Sequence, residues 1–116
     1  MKSQHFCTPQ LVRLIKIIMH DEDMSEWEDF RTFWVPNFED GEVIQIKERI
    51  EGTDYPLCKA EIVSISPARY REIDLSIVMN QEQIDRYKRK FAPGHWFFKI
   101  KYRIVREEKK GLDKFL

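Results

Sequence analysis

Five cations sit at strand-like spacing in this chain: Lys47 and Arg49 in one segment, Lys99, Lys101 and Arg103 in another. Every second residue of a strand faces the same way, so each group lines one face. If the two segments pair as neighbours, the cations join into one stripe. A row of positive charge on a rigid element suits a phosphate backbone, and interleaved aromatics such as Phe97, Tyr70 or Trp34 can stack on unpaired bases. The same residues also fit a plainer role, a solvated sheet face on which Glu48, Glu61 and other acids pair across strands.

Other groups carry less specific chemistry. Asp21, Glu22, Asp23, Glu26, Glu28 and Asp29 crowd one short stretch without the glycine and spacing of an EF-hand loop, so Asp21–Asp29 reads as an acidic loop that a basic protein partner could engage. Arg86, Lys88, Arg89 and Lys90 crowd a predicted helix, where cations near the C-terminus favour the dipole and a phosphate contact is also open. Trp27, Phe30, Phe33 and Trp34 recur at spacings of three and four, as a core-facing helical stripe does. His5, His20 and His95 are scattered, with no H-x-x-H or Cys/His cluster to hold a metal, and no cofactor is expected. The chain has no phosphate-binding G-x-x-x-x-G-K-[ST] loop, no G-x-S-x-G elbow and no dinucleotide fingerprint. Glu72 and Asp74 could serve an acid–base pair, although their position gives this no particular support.

The 116 residues suffice for one domain and one core. We place that domain at residues 1–106 and read 107–116 as a charged tail. The apolar run from Leu11 to Met19 is interrupted by Arg13 and Lys16 and is too short for a bilayer. No cleavable leader is evident. Cys7 and Cys58 stand apart, as reduced thiols of a cytoplasmic protein would. The zero net charge conceals an asymmetry. Residues 1–58 hold six Lys/Arg against twelve Asp/Glu, and residues 59–116 hold fourteen against eight. A globally basic nucleic-acid binder is excluded, while one basic face remains possible, as does mutual neutralisation of the two halves.

Elements must position these groups. Thr8 and Pro9 open a helix as N-cap and first residue, with Leu11, Leu14, Ile15, Ile18 and Met19 at helical spacing to about His20. Ser25 to Glu28 has the form of a capping box, predicting a short helix or turn to about Phe33. Asp40-Gly41 is a turn signal. Val43–Ile50 and Leu57–Ser66 read as a strand hairpin, the first with Ile44, Ile46 and Ile50 on one face, the second ended by Ser66-Pro67. Arg69–Met79 is ambiguous, with Ile73, Leu75 and Ile77 alternating. Asn80 starts a helix with Ile84, Tyr87 and Phe91 as its stripe, and Pro93-Gly94 ends it. Trp96–Val105 is the last strand, with Trp96, Phe98, Ile100, Tyr102 and Ile104 expected in the core and Phe97, Lys99, Lys101, Arg103 and Val105 opposite. The order predicts an α+β fold with mostly antiparallel pairing.

Four segments carry a resemblance: Cys7 to Val12 with Ile15; Phe38-Glu39-Asp40-Gly41-Glu42-Val43-Ile44-Gln45-Ile46; Cys58 to Ile65; and Phe91-Ala92-Pro93-Gly94 before Trp96–Val105. Together they resemble the ASCH domains of the PUA-like superfamily. The resemblance implies a small β-barrel of mostly antiparallel strands with two or three flanking helices. It also implies a cleft for RNA or a nucleotide-containing ligand beside Arg31, with Arg31, Lys47 and Lys99 on phosphate and an aromatic, Trp34 among the candidates, on a base. The family signature G-x-K-T-x-T-x-R is mostly missing. Arg31 matches its arginine, but Glu26 stands at the lysine position, and Trp27 and Asp29 stand at the threonines. Some ASCH proteins resemble amidohydrolases of acetylated cytidine that use that lysine and a threonine, and a glutamate cannot supply the lysine's chemistry. A hydrolase with a rebuilt pocket would have to act through Glu28, Asp29 or Glu72. The third option is a small protein-interaction module, of the kind phages carry, using the acidic loop.

Overall fold

The structure, a computed structural model, describes residues 2–6, 9–31 and 38–106. Helix α1 spans Pro9–His20 and buries Leu11, Val12, Ile15 and Ile18, the stripe that the spacing predicts. Five strands, β1 (Ser3–Phe6), β2 (Glu26–Arg31), β3 (Val43–Ile50), β4 (Thr53–Arg69) and β5 (Trp96–Val105), form one sheet in the order β1-β3-β4-β5-β2. β1, which periodicity does not reveal, joins β3 in parallel, and the other pairings are antiparallel. The fold is α+β with two α-helices, as expected. β1 and β2 are opposite edges of the sheet, so among the described residues it does not close into a barrel.

One face of the sheet carries Ile44, Ile46, Ala60, Ile62, Ile100, Tyr102 and Ile104, and α1 packs into the same core. Fully burying an aliphatic side chain of this size contributes roughly 1.5–3 kcal/mol. The β3–β4 hairpin turns at Glu51-Gly52, both at positive φ (51° and 82°), the two-residue geometry that matches strand twist. The β-bulge at Ile46/Lys47 lies beside Pro56 and takes up the irregularity of a proline inside the ladder.

Several expectations are corrected. Residues 26–31 form a strand. The capping-box pattern is overridden by tertiary pairing: Ser25 accepts the Ile104 amide at 2.7 Å and β2 runs antiparallel to β5 from Glu26↔Arg103 to Arg31↔Phe98. Trp27 and Phe30 therefore face opposite ways and share no helical stripe, while Phe33 and Trp34 lie outside the described residues. β4 runs through Ser66-Pro67 to Arg69. Pro67 pairs with Phe98 beyond the last β3–β4 partner, Glu61, where the β4 edge is open and a missing N–H is tolerated. Ile50 is exposed at the hairpin end. The ambiguous segment folds as two 3₁₀ turns, Tyr70–Glu72 and Leu75–Ile77, which bury Leu75 and Val78 at a spacing of three and leave Ile77 exposed. Helix α2, Gln81–Lys90, starts at Asn80 with a full capping box, Asn80 Oδ1 accepting from the Gln83 amide (2.9 Å) and Gln83 Oε1 from the Asn80 amide (3.1 Å).

At the start of β5 the expected faces are exchanged. Phe97 is fully buried and Trp96 is exposed. There β5 pairs only with β4 among the described residues, and Phe97 enters an aromatic cluster with Tyr70 (5.5 Å between centroids), Phe91 (5.1 Å) and His95 (5.6 Å). The helix-end aromatics thus build a small second core that strand alternation alone does not predict. The N-cap Thr8, Cys7 and the tail 107–116 lie outside the described residues.

Candidate ligand site

β5 supplies the row Lys99, Lys101, Arg103 on the face away from Ile100 and Tyr102, as its alternation requires. The neighbouring edge strand β2 sets acids against it. Arg103 reaches Glu26 at 3.0 Å and, across β4, Glu61 at 3.3 Å, and Lys99 Nζ lies 3.4 Å from Glu28. The acidic N-terminal half and the basic C-terminal half are therefore interleaved strand by strand. Exposed pairs of this kind contribute about 0–1 kcal/mol each, but they cancel much of the field of the row. Lys101 makes no ion pair among the described residues. Of the acidic stretch, Glu26, Glu28 and Asp29 belong to β2, leaving Asp21–Ser25 as the loop, in which Asp21 Oδ1 accepts the Asp23 amide at 2.9 Å.

Lys47 and Arg49 do not extend this row. β4 separates β3 from β5, and Arg49 is held bidentately by Asp54 across the hairpin, at 2.8 and 3.1 Å. The single five-cation stripe is not formed.

A cavity of about 590 Å³ opens beside Lys99 and Lys101, within the range of small-molecule sites. β2 contributes Phe30 and Glu28, β4 contributes Pro67 and Ala68, and the turns after β4 contribute Glu72, Ile73, Asp74, Ile77 and Val78. The lining mixes the apolar surface of Phe30, Ile73, Ile77 and Val78 with two lysines and four carboxylates, Glu26, Glu28, Glu72 and Asp74. Two of the three carboxylates named for a rebuilt hydrolase pocket, Glu28 and Glu72, line this cavity. The third, Asp29, faces the opposite side of β2.

That opposite side also holds Arg31. Adjacent residues of a strand point opposite ways, so Arg31, paired with Phe98, does not join Lys99, which pairs with Phe30. Its guanidinium lies 3.6 Å from the Asp29 carboxylate, and among the described residues its buried Nε and Nη2 have no hydrogen-bond acceptor. Burial raises the pKa of Asp29, opposed by the charge of Arg31 and the Phe30 amide. Burial likewise raises the phenols of Tyr102 and Tyr87, with the nearby Asp29 charge adding to the effect. Of the other positions aligned with the ASCH signature, Glu26 is on the cation face and Trp27 is buried, its indole stacked on Tyr102 at 5.4 Å and 18°. Trp34 lies outside the described residues. Burial pushes the Cys58 thiol up to about 11, which makes it an inert core thiol.

Two features of the structure have no clear signal in the sequence. The turn wall of the cavity, Ile73, Ile77 and Val78, was hidden by an alternation that mimics a strand. Arg106 had no local signal at all, yet its guanidinium donates to the carbonyls of Ile18 (3.0 Å), Met19 (3.2 Å), Asp21 (2.7 Å) and Met24 (2.6 Å), clamping the end of α1 to the end of β5.

Comparison of the chain with protein-family models, with curated proteins and with solved structures finds no match. Among the described residues no helix is long and apolar enough to cross a membrane.

Proposed function

We propose that this chain is a PUA-like, ASCH-related binding protein that takes an RNA segment or free nucleotide in the cavity beside Lys99 and Lys101, in a cytoplasmic setting. The observation that carries the reading is a cavity of about 590 Å³ in which Phe30 and the apolar side chains of the turns stand beside Lys99 and Lys101, the latter making no ion pair among the described residues. A base needs an apolar or aromatic surface and a phosphate needs charge-assisted donors. Lys101 is the primary phosphate contact, since Lys99 must first leave Glu28. The β3–β4 hairpin followed by helix α2 and strand β5, and the mostly antiparallel sheet, support the PUA-like assignment. Arg31 then acts as a structural cation beside Asp29, and the site moves from the expected Arg31 cleft to the other face of β2.

Calorimetric titration with nucleoside monophosphates and with a five-nucleotide RNA tests this, comparing wild type with Lys99→Gln/Lys101→Gln. The double variant is expected to lose roughly tenfold or more in affinity, about 1.4 kcal/mol being one decade. Tighter binding of the RNA than of the monophosphates identifies an RNA segment as the ligand, and equal binding identifies a free nucleotide. Unchanged affinity in a folded double variant refutes the site. The presence of both Glu28 and Glu72 in the cavity lining favours one second reading, the modified-nucleoside hydrolase. Turnover of an acetylated nucleoside during the titration would establish it.

A further inference from the structure

Two of the three cations of mid-β5 are matched by acids, whereas several at the α2 end form no ion pair among the described residues. From Arg86 to Arg106 the chain holds no Asp or Glu. The last turn of α2 carries Lys88, Arg89 and Lys90, and its C-cap Phe91 sits 4.8 Å from His95, so the helix end and the tip of the β4–β5 ribbon are one surface. Arg71 is exposed on the same tip, its amide bonded to the Pro93 carbonyl at 2.9 Å. Among the described residues Arg69, Arg71, Lys88 and Arg89 form no ion pair; Glu72, next in the chain to Arg71, is the nearest acid in sequence.

Trp96, at the start of β5, has 51% of its surface exposed. It is held, not loose. Its cross-strand partner Arg69 lies 4.2 Å from the ring centroid, and that guanidinium is fixed by a 3.1 Å bond to the Gly94 carbonyl. Beneath the tip, the packed rings of Phe97, Tyr70 and Phe91 make the base rigid. An aromatic ordered before binding loses little entropy on stacking. An exposed indole with one arginine on its ring is too small an apolar area for a membrane or a large protein interface, and an aromatic beside a cation is the combination that single-stranded nucleic acid requires.

We propose that the ribbon tip is a stacking platform for single-stranded nucleic acid, with an unpaired base on Trp96 and the backbone on Arg71, Lys88 and Arg89. The proposal extends the nucleotide reading to a second surface and rests on it. It is tested by fluorescence anisotropy of a labelled ten-nucleotide single-stranded RNA at two salt concentrations. Wild type, Trp96→Ala, Trp96→Phe and Lys88→Glu/Arg89→Glu are compared, after circular dichroism has established that each is folded. Loss of one stacked base weakens binding by roughly tenfold or more in Trp96→Ala. Trp96→Phe, which keeps a ring, stays within about threefold, and the charge variant flattens the salt dependence. Binding by Trp96→Ala equal to wild type overturns the platform while leaving the cavity site standing. Absence of oligonucleotide binding by wild type overturns the platform and the RNA form of the cavity reading, while the monophosphate titration decides the cavity site separately. Trp96-dependent binding to vesicles containing phosphatidylserine, with no oligonucleotide binding, would overturn the proposal and assign the tip to a lipid surface.

Discussion

Asp29 is enclosed on the core side of β2, 3.6 Å from the Arg31 guanidinium, and burial outweighs that attraction in setting its proton affinity. The folded chain therefore holds the Asp29 proton to higher pH than the unfolded chain, whose carboxyl titrates near the ordinary value of 3.8. Its stabilising contribution is fully present below that value and is lost as pH rises through the raised one. Asp29→Asn removes this dependence. Urea midpoints measured from acid to neutral pH should show wild type gaining on the variant as pH falls; a constant difference would show that Asp29 is not held protonated. The residue types at Arg31 and Asp29 were plain in the sequence, but their environment was not. A helical reading of Ser25–Phe33 gives no alternation, and only the strand separates Arg31 from Lys99.

The elements best read from sequence were those with strong local chemistry. The Pro9–His20 stripe, the Asn80 capping box and the alternating Trp96–Val105 segment each carry their own signal. β2 and the turns after β4 depend on partners remote in sequence, which is why capping-box and strand patterns misled there. Arg106 is the extreme case, joining residues more than eighty positions away. It also sets a cation at the C-terminal end of α1, where Asp21, Glu22 and Asp23 oppose the helix dipole. Arg106→Ala should cost about 1–2 kcal/mol in urea unfolding, given exposed but charge-assisted bonds. It should also speed hydrogen exchange selectively in residues 18–25. A loss below a few tenths of a kcal/mol would show that the clamp carries no weight.

At the scale of the whole molecule, the charge asymmetry of the two sequence halves resolves into two different surfaces. Where β2 meets β5 the halves neutralise each other, leaving a mixed rim around the cavity. At the α2 end no acid-rich strand is adjacent, and Arg69, Arg71, Lys88 and Arg89 form no ion pair among the described residues, with Arg69 on the Trp96 ring. A count along the sequence could give the sign of each half but not the strand order that decides which cations are matched. That order, with β4 between β3 and β5, is also what keeps Lys47 and Arg49 out of the site. The most direct measurement of the central claim is amide NMR mapping of the labelled protein titrated with uridine 5′-monophosphate. Amide shifts concentrated at residues 28–30, 68, 73–78 and 99–101 are the predicted result. An absence of shifts, or shifts confined to the loop 21–25, would contradict a nucleotide site in this cavity.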